Sequence, residues 1–275
     1  MRKIGFLDND LKKKILSFLY KDEMYNAILI ELIENSPKNL GHLYINEAKE
    51  EITAILHIKN DGNSDLTNFF YIKEEGLESI VAQMKSLEFK KILLAGRLDK
   101  LAPLLNGLGY EKQIEPSIFY KLNSKKYKNI TKDLKSEIGL ATQTEEDVKK
   151  VKQFTAAFFQ AETEEEINSV TNSEKILAKM KAGVYLLEYE NETIGMARFI
   201  GKTKNFAEVT SVYIDGAYRN KGLGKELISH MINIALKEEK IPVLEASSSN
   251  IAAISTYEAM GFEKEGEYAF EFLNM

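Results

Sequence analysis

The feature that most constrains this chain is a strand that passes through a glycine turn into a helix. Residues 212–227 read VYIDGAYRNKGLGKEL. The apolar start is typical of a strand, and apolar residues recur every four positions from Leu223 onward, which predicts an amphipathic helix. Gly222 and Gly224 let the backbone of the turn approach other groups closely, because neither residue has a Cβ. A strand followed by such a helix predicts a sheet with helices packed against it.

Three kinds of phosphate-binding turn compete at this position. A dinucleotide-binding turn needs a third glycine, where this chain has Leu227. A P-loop needs a glycine at Arg219 and a hydroxyl at Glu226. The third kind is a metal-free pyrophosphate cradle, in which helix N–H groups and the basic residues Arg219, Lys221 and Lys225 face the anion. The alternative to all three is a plain surface turn with solvated basic side chains.

Composition narrows the possible functions. The 275 residues suit two domains or one large one, with 44% hydrophobic and 29% charged residues. A net charge of −5 argues against a general nucleic-acid partner. The absence of cysteine excludes disulfides, thiolate metal sites and a cysteine nucleophile. The three histidines, His42, His57 and His230, lack the spacing of metal ligands, so we expect no metal site.

No stretch of the sequence indicates a membrane or an export route. The N-terminus has no apolar run long enough for a signal peptide, and no stretch reaches the length of a membrane span. We therefore expect a cytoplasmic protein without a membrane partner. The sequence leaves the oligomeric state open between a monomer and a homodimer.

The order of predicted elements repeats along the chain. Each half shows two helices, a meander of strands, and then a helix, a strand, a helix and a strand. This order predicts an α+β (mixed α/β) fold of two similar domains, each with a mostly antiparallel central sheet flanked by helices. We place the domains at 1–125 and 137–275, because the lysine-rich, aperiodic segment 126–136 is typical of a linker.

Local signals sharpen the prediction for the second half. Thr144 with Asp147 resembles a capping box, and Asn191–Glu192 indicates a tight turn between two strands. We expect a single helix over 164–181 and a turn near Gly266 within the final strand segment, 262–273.

The second half resembles the GCN5-related N-acetyltransferases (GNATs). Their Q/R-x-x-G-x-G/A motif is present as RNKGLG at 219–224, and their second signature is present as NIAAISTYEAMGF at 250–262. The resemblance covers about residues 137–275. It departs at Gly216, where many members have proline, which loosens the turn but leaves the cradle intact.

The resemblance implies acetyl-CoA as cosubstrate and a primary amine, from a small molecule or a peptide, as acceptor. Val212, Tyr213 and Ile214 would offer strand backbone groups to the pantetheine arm. The turn would supply amides and charge to the pyrophosphate, and Asn250 would hold the cofactor near its other end. The implied turn residues are Arg219, Asn220, Lys221, Gly222, Leu223, Gly224 and Lys225.

The resemblance also implies catalytic roles without a covalent acyl-enzyme. Tyr257 would be the acid that protonates the departing thiolate, since a phenol is protonated at neutral pH. Glu208, eleven residues before Arg219, would be the base, with Glu245 and Tyr213 as alternatives. The competing interpretations are a core tyrosine at Tyr257 and an exposed strand carboxylate at Glu208.

The acidic segment AETEEE at 161–166 has two interpretations. In related folds this region borders the acceptor site, so its carboxylates would attract a cationic amine. Acidic residues are also favourable at any helix N-terminus, and we favour this second explanation.

The first half is expected to keep the fold without the cofactor site. Its equivalent turn reads Lys73, Glu74, Glu75 and Gly76, with one glycine and two carboxylates that would repel a pyrophosphate. The leading hypothesis is thus an N-acetyltransferase with one active domain. The alternatives are a non-catalytic acyl-CoA-binding or regulatory module, and a structural protein whose halves only pair with each other.

Overall fold

The computed structural model describes residues 1–35, 40–60, 64–88, 91–111, 113–130 and 135–273, and shows the predicted mixture of helices and strands. The strands are β1 Arg2–Ile4, β2 His42–Ala48, β3 Glu51–Asn60, β4 Asp65–Tyr71, β5 Ile92–Arg97, β6 Ser117–Leu122, β7 Glu137–Leu140, β8 Val184–Tyr189, β9 Glu192–Ile200, β10 Phe206–Ile214, β11 Ile241–Ser247 and β12 Phe262–Leu273. The helices are α1 Asn9–Leu19, α2 Ala27–Asn35, α3 Glu74–Lys85, α4 Leu98–Leu108, α5 Glu145–Phe158, α6 Glu164–Thr171, α7 Ser173–Gly183, α8 Leu223–Lys237 and α9 Ile251–Ala259.

The chain divides into two compact units, and neither is a single continuous segment. The first unit consists of Met1–Phe119, Glu245–Ile251 and Lys264–Met275. The second unit consists of Tyr120–Leu244 and Ala252–Glu263. This division differs from the predicted domains 1–125 and 137–275, because the C-terminal residues Tyr268–Leu273 pair with β5 of the first unit. Residues 131–134 of the predicted linker 126–136 lie outside the described residues.

The first unit has a sheet that is apolar on both faces. Its strand order is β1-β2-β3-β4-β5-β12, antiparallel except for the parallel pair β4 and β5. Side chains from alternate positions of β3 enter two different cores, as the period of two in a strand requires. Ala54 and Leu56 join the core that includes Ile80 of α3, whereas Ile55 joins the core that includes Ile30 of α2.

The second unit repeats this plan with β7, β8, β9, β10 and β11 in the order β11-β10-β9-β8-β7. All of its neighbours are antiparallel except β10 and β11. One core contains Phe154 of α5, Met180 of α7 and Met196 of β9. The predicted apolar stripe of α8 is confirmed, because Leu223, Leu227, Met231 and Ala235 are all buried.

The two units also share the extent of their parallel strand pairing, which the repeated order of elements does not specify. In the first unit the parallel register joins Asp65–Asn68 to Ile92–Ala95. In the second unit it joins Phe206–Val209 to Ile241–Leu244. Each parallel pairing stops after four residues, although both of its first strands, β4 and β10, continue. The repeat seen as a pattern in the sequence is therefore also a repeat of strand register.

The capping box is one of three local expectations that differ from the structure. Thr144 does cap α5 by accepting from the Asp147 N–H at 3.2 Å, but the Asp147 carboxylate binds the backbone N–H and hydroxyl of Thr142. The complete box joins Thr163 and Glu166 at the start of α6.

The other two differences concern the single helix expected over 164–181 and the turn near Gly266. The helix is broken at Asn172, whose extended ψ of 134° ends α6 and whose side chain caps α7. Residues Phe262–Leu273 form one continuous strand, so no turn interrupts it at Gly266.

Candidate active site

Strand β10 carries a bulge just before the glycine turn. Thr210 lies opposite Arg198 of β9 and Tyr213 lies opposite Met196, so Ser211 and Val212 together face one residue, Ala197. Ser211 has a φ of 54°, which is unusual for a residue with a side chain. Its hydroxyl accepts a hydrogen bond from Arg198 Nε at 3.1 Å. A bulge of this kind interrupts the ladder and re-aims backbone groups, and such bulges are common beside active sites.

The bulge also decides which side chains share a face of the sheet. Thr210 and Tyr213 are three residues apart, yet their partners Arg198 and Met196 are two apart, so both point the same way. Glu208 precedes Thr210 by two residues and therefore shares this face. The Tyr213 ring lies 5.5 Å from the ring of Phe154, which identifies the face as the one that α5 covers. Without the bulge, Glu208 and Tyr213 would point to opposite sides.

The end of the parallel pairing leaves room on β10 for an extended ligand. The register with β11 stops at Val209, whereas β10 continues to Ile214. Val212, Tyr213 and Ile214 are half-buried and lie in this last part. An extended, amide-bearing chain can add to such a strand through backbone hydrogen bonds.

The turn after β10 opens onto empty space at its glycine. Gly222 has a φ of 87°, in the left-handed region that favours glycine, and it precedes the first residue of α8 without a side-chain cap. A Cβ built on Gly222 would have no neighbouring atom within 4 Å. A space that a phosphate could occupy therefore adjoins the N-terminus of α8, and the helix dipole favours an anion there.

The turn carries three basic side chains, two of which lie beside Gly222. Arg219, Lys221 and Lys225 are all exposed. Arg219 Nε donates to the Ile214 carbonyl at 3.0 Å, which ties the turn to the end of β10. Lys221 Nζ lies 4.9 Å from the ring centroid of Tyr218 and 5.4 Å from that of Tyr189. Aromatic faces attract cations, so these two rings help to hold Lys221 at the turn.

The carboxylate of Glu226 lies next to these residues and is held by the segment before β7. Its side chain is buried and one carboxylate oxygen accepts from the Ser136 hydroxyl at 2.6 Å and from the Ser136 N–H at 3.1 Å. The Lys135 N–H adds a third donor at 3.2 Å. The residue that replaces the P-loop hydroxyl is therefore a structural anchor for the chain segment before β7.

Tyr257 lies within an aromatic cluster on α9. Its side chain is 7% exposed, and its ring centroid is 6.2 Å from that of Tyr120 and 6.0 Å from that of Phe262. This environment fits a core tyrosine as well as a buried acid.

Asn250 and Glu245 lie in the segment Glu245–Ile251, which belongs to the first unit. They are therefore not among the residues that the second unit brings together. Asn250 is exposed and its N–H donates to the Ser247 carbonyl at 2.9 Å. Burial raises the pKa of Glu245 to about 7, and a hydrogen bond from Ser117 acts in the opposite direction.

The surroundings of α6 and α7 favour the structural explanation of the acidic segment 161–166. The Glu166 carboxylate accepts from the N–H groups of Glu162 and Thr163, both at 3.0 Å, and these bonds lower the pKa of Glu166. Nearby, burial lowers the pKa of Lys179 to about 8, with smaller contributions from Arg198 and Lys175. Positive side chains therefore lie beside β9 as well as negative ones. The Glu166 carboxylate is used in hydrogen bonds at the N-terminus of α6.

Comparison with known proteins identifies this arrangement. Residues 149–262 match the model of the acetyltransferase (GNAT) family. This stretch is a GNAT domain. It begins within α5 and ends at the first residue of β12, so it includes the bulge, the glycine turn and Tyr257.

Solved structures extend the likeness to the whole chain. The chain is similar to an acetyltransferase of the GNAT family from Colwellia psychrerythraea, with 15% identity, a TM-score of 0.62, and coverage of 99% of this chain and 100% of that one. It is also similar to a tandem GNAT protein from the clavulanic acid biosynthesis pathway, with 10% identity, a TM-score of 0.68 and coverage of 99% and 98%. A GCN5-related N-acetyltransferase from Sphaerobacter thermophilus gives 12% identity, a TM-score of 0.63 and coverage of 99% and 95%. The fold is that of tandem GNAT proteins, which confirms the predicted fold class.

Two properties of the described residues bear on the site. They contain no group of three or more histidine or carboxylate side chains that could hold a metal ion. None of their helices has both the length and the apolar composition needed to cross a membrane.

The equivalent turn of the first unit lacks the open space of the GNAT domain. Helix α3 begins with Glu74 and Glu75, and a Cβ on Gly76 would lie 2.8 Å from the Thr53 carbonyl. Gly76 thus serves close packing against β3. Beyond the parallel pairs, the Phe69 ring fills the space next to Gly96, where a Cβ would lie 2.9 Å from it. The turn at Gly76 therefore differs from the open turn at Gly222.

Proposed function

We propose that this chain is a cytoplasmic N-acetyltransferase that transfers the acetyl group of acetyl-CoA to a primary amine of a small molecule or peptide. The transfer occurs by direct attack in a ternary complex. The observation that carries the proposal is the open turn at Gly222, with the exposed cations Lys221 and Lys225 beside it and the bulged strand β10 before it. A GNAT domain with this geometry offers strand backbone groups and a basic turn, which suit acetyl-CoA, a thioester that carries a pyrophosphate.

The binding residues divide by the part of acetyl-CoA that they would hold. Val212, Tyr213 and Ile214 offer backbone groups to the pantetheine arm. The backbone from Asn220 to Gly224, which includes Leu223, offers amides to the pyrophosphate. Lys225 adds the charge of its side chain, since its N–H already donates to the Gly222 carbonyl at 2.9 Å. Asn220 has a φ of 64°, a conformation that asparagine tolerates, so the turn can present consecutive N–H groups.

The chemistry needs three roles beyond binding. Acetyl-CoA supplies an acyl group activated as a thioester. Glu208 takes a proton from the attacking amine as the carbon–nitrogen bond forms. A backbone N–H at the Ser211–Val212 bulge donates to the oxyanion, and Tyr257 protonates the sulfur as the carbon–sulfur bond breaks. No acyl-enzyme forms in this scheme, and the chain has no cysteine.

The burial of Tyr257 favours a second candidate function. A tyrosine packed against Tyr120 and Phe262 can be a core residue alone. The chain would then be a non-catalytic acyl-CoA-binding or regulatory module, with the cradle but without turnover.

The test of the proposed function measures binding and turnover separately. Calorimetry with acetyl-CoA should show binding by the wild type and at least a ten-fold loss in Gly222→Asp, because a carboxylate would then face the pyrophosphate. Release of free thiol with a panel of amines should identify the acceptor.

Gly109→Asp is the matched control for this test. Gly109 has a φ of 90°, and a Cβ at this position would also have no neighbouring atom within 4 Å, but the residue lies in the first unit. The control should bind acetyl-CoA as the wild type does. Equal binding by Gly222→Asp and the wild type would refute the cradle.

A further inference from the structure

The first unit contains a small polar pocket between its sheet and the segment that precedes α2. Residues of that segment, of β4 and of β5 line it, and all of its lining residues belong to this unit. Its volume is about 30 Å³, which is room for roughly two water molecules. The pocket therefore fits a polar headgroup and is too small for a whole cofactor. We call it the first-unit pocket.

Two residues before α2 each bring an acceptor oxygen to this pocket. Arg97 Nη1 donates to Asp22 Oδ2 at 2.9 Å, and no donor in the described parts of the chain reaches Asp22 Oδ1. Asn26 is 7% exposed, and its Nδ2 donates to the Leu19 carbonyl at 2.9 Å. This bond leaves Asn26 Oδ1 as an acceptor. Polar atoms in such buried positions normally have a partner.

Asn68 supplies a third oxygen, and His57 fixes the direction of its amide. The His57 Nε2 atom must donate to the Leu40 carbonyl, because a carbonyl oxygen can only accept. Burial lowers the pKa of His57, so its neutral ring has Nδ1 as an acceptor. Asn68 Nδ2 therefore donates to His57 Nδ1 at 3.2 Å. Asn68 Oδ1 is the acceptor that remains on this pocket-lining residue.

These three oxygens suit a ligand group that donates three hydrogen bonds. A primary ammonium group has three N–H donors. Two aromatic residues of β4 also line the pocket, and aromatic rings attract cations. We propose that the first-unit pocket binds the ammonium end of a small primary amine, with Asp22 as the counter-ion and with Asn26 and Asn68 as further acceptors. This site is separate from the glycine turn of the GNAT domain and does not require acetyl-CoA.

The charges around the pocket determine how binding should respond to substitution. Two carboxylates compensate the Arg97 guanidinium, because its Nε also donates to Asp99 at 2.9 Å. Lys100 lines the pocket too, and within the described residues it forms no ion pair. Its charge opposes a bound ammonium group. Loss of the Asp22 charge and loss of the Lys100 charge should therefore have opposite effects on binding.

The test is a calorimetric titration of the whole chain with ethylamine hydrochloride, at constant ionic strength and without acetyl-CoA. The wild type should bind ethylammonium and should not bind tetramethylammonium, which has the charge but no N–H donor. Asp22→Asn should weaken ethylammonium binding at least ten-fold, because a charge-assisted hydrogen bond is lost. Lys100→Gln should strengthen it about three-fold, because a like charge is removed.

Asp99→Asn is the matched control, because Asp99 pairs with the same arginine and does not line the pocket. It should bind ethylammonium as the wild type does. The inference is overturned if the wild type binds neither cation or binds both equally, or if Asp22→Asn and Asp99→Asn have equal effects. Weaker binding in Lys100→Gln would also overturn it. Since the titration contains no acetyl-CoA, these outcomes are independent of the proposed function.

Discussion

At the scale of single residues, Tyr257 decides between an enzyme and a binding module. Tyr257→Phe removes one hydroxyl and keeps the ring contacts with Tyr120 and Phe262. If the hydroxyl is the acid, we expect kcat to fall by about 10²-fold, a typical contribution of general acid catalysis, with little change in acetyl-CoA affinity.

Tyr120→Phe is the control for this substitution. Its hydroxyl donates to Glu258 at 3.3 Å in the same aromatic cluster, so its loss reports the structural cost of removing a neighbouring phenol oxygen. Steady-state kinetics should show a normal kcat for this variant. Equal kcat values for both variants and the wild type would assign Tyr257 to the core.

Glu245 gives a prediction about pH that is independent of activity. Burial raises its pKa from an ordinary value of 4.5 to about 7 in the folded chain. The folded state therefore holds this proton more tightly than the unfolded state does. Its stabilising contribution is complete below pH 4.5 and is lost as the pH rises through 7.

Glu245→Gln removes this titration and keeps the size of the side chain. Chemical denaturation at pH 5 and pH 8 should show a smaller loss of unfolding free energy for the variant than for the wild type. Gln substitution of the exposed Glu239 is the control, and it should leave the pH dependence unchanged. A wild-type slope in Glu245→Gln would show that Glu245 is not the group that titrates.

Residue chemistry explains which parts of the site could be predicted. The roles of Arg219, Gly222 and Gly224 could be predicted from the sequence, because each has a physical role in a phosphate-binding turn. The matched family region includes all three residues. The backbone conformation of Ser211 could not be predicted, because a serine in the sequence gives no local indication of a φ of 54°. The pairing with β9 imposes that conformation, so it becomes visible only in the folded sheet.

At the scale of elements, a strand before the glycine turn was predicted, yet the faces of β10 could not be predicted. A simple alternation places Glu208 and Tyr213 on opposite faces, and the bulge places them on the same face. The helix over 164–181 was predicted as one element because its apolar spacing continues across Asn172. The break depends on the extended conformation of that one residue.

The contacts of the linker could not be predicted from the sequence either. Its composition indicated an aperiodic connection, and nothing in that composition indicates what it contacts. The partners of Tyr127 and Ser136 are Ser229 and Glu226, about a hundred positions later in the chain. Long-range hydrogen bonds of this kind give no periodic signal in the sequence.

At the scale of the whole molecule, the discontinuous units predict that the two halves of the sequence are not independent. A fragment of residues 1–125 lacks Tyr268–Leu273, which pair with β5 and complete the first unit's sheet. We expect this fragment alone to lack a cooperative thermal transition, because β5 would be left as a long exposed edge. Circular dichroism on heating is the measurement.

Two further proteins complete this experiment. Co-expression of 1–125 with 126–275 should restore a soluble pair, because β12 can then pair with β5. A single chain in which a flexible linker joins residues 1–119 to residues 264–273 should recover the transition of the first unit. A sharp transition in 1–125 alone would contradict the discontinuous division.

The pairing of β12 with β5 also has a consequence for folding during synthesis. Chains leave the ribosome from the N-terminus, and domains generally fold as units when their residues have emerged. The first unit cannot complete its sheet when Arg97 emerges, since the partner Tyr268 is made only after the whole of the second unit. The sheet of the unit that is translated first is therefore completed late. The unpaired edge of β5 stays accessible to chaperones while the GNAT domain is synthesised.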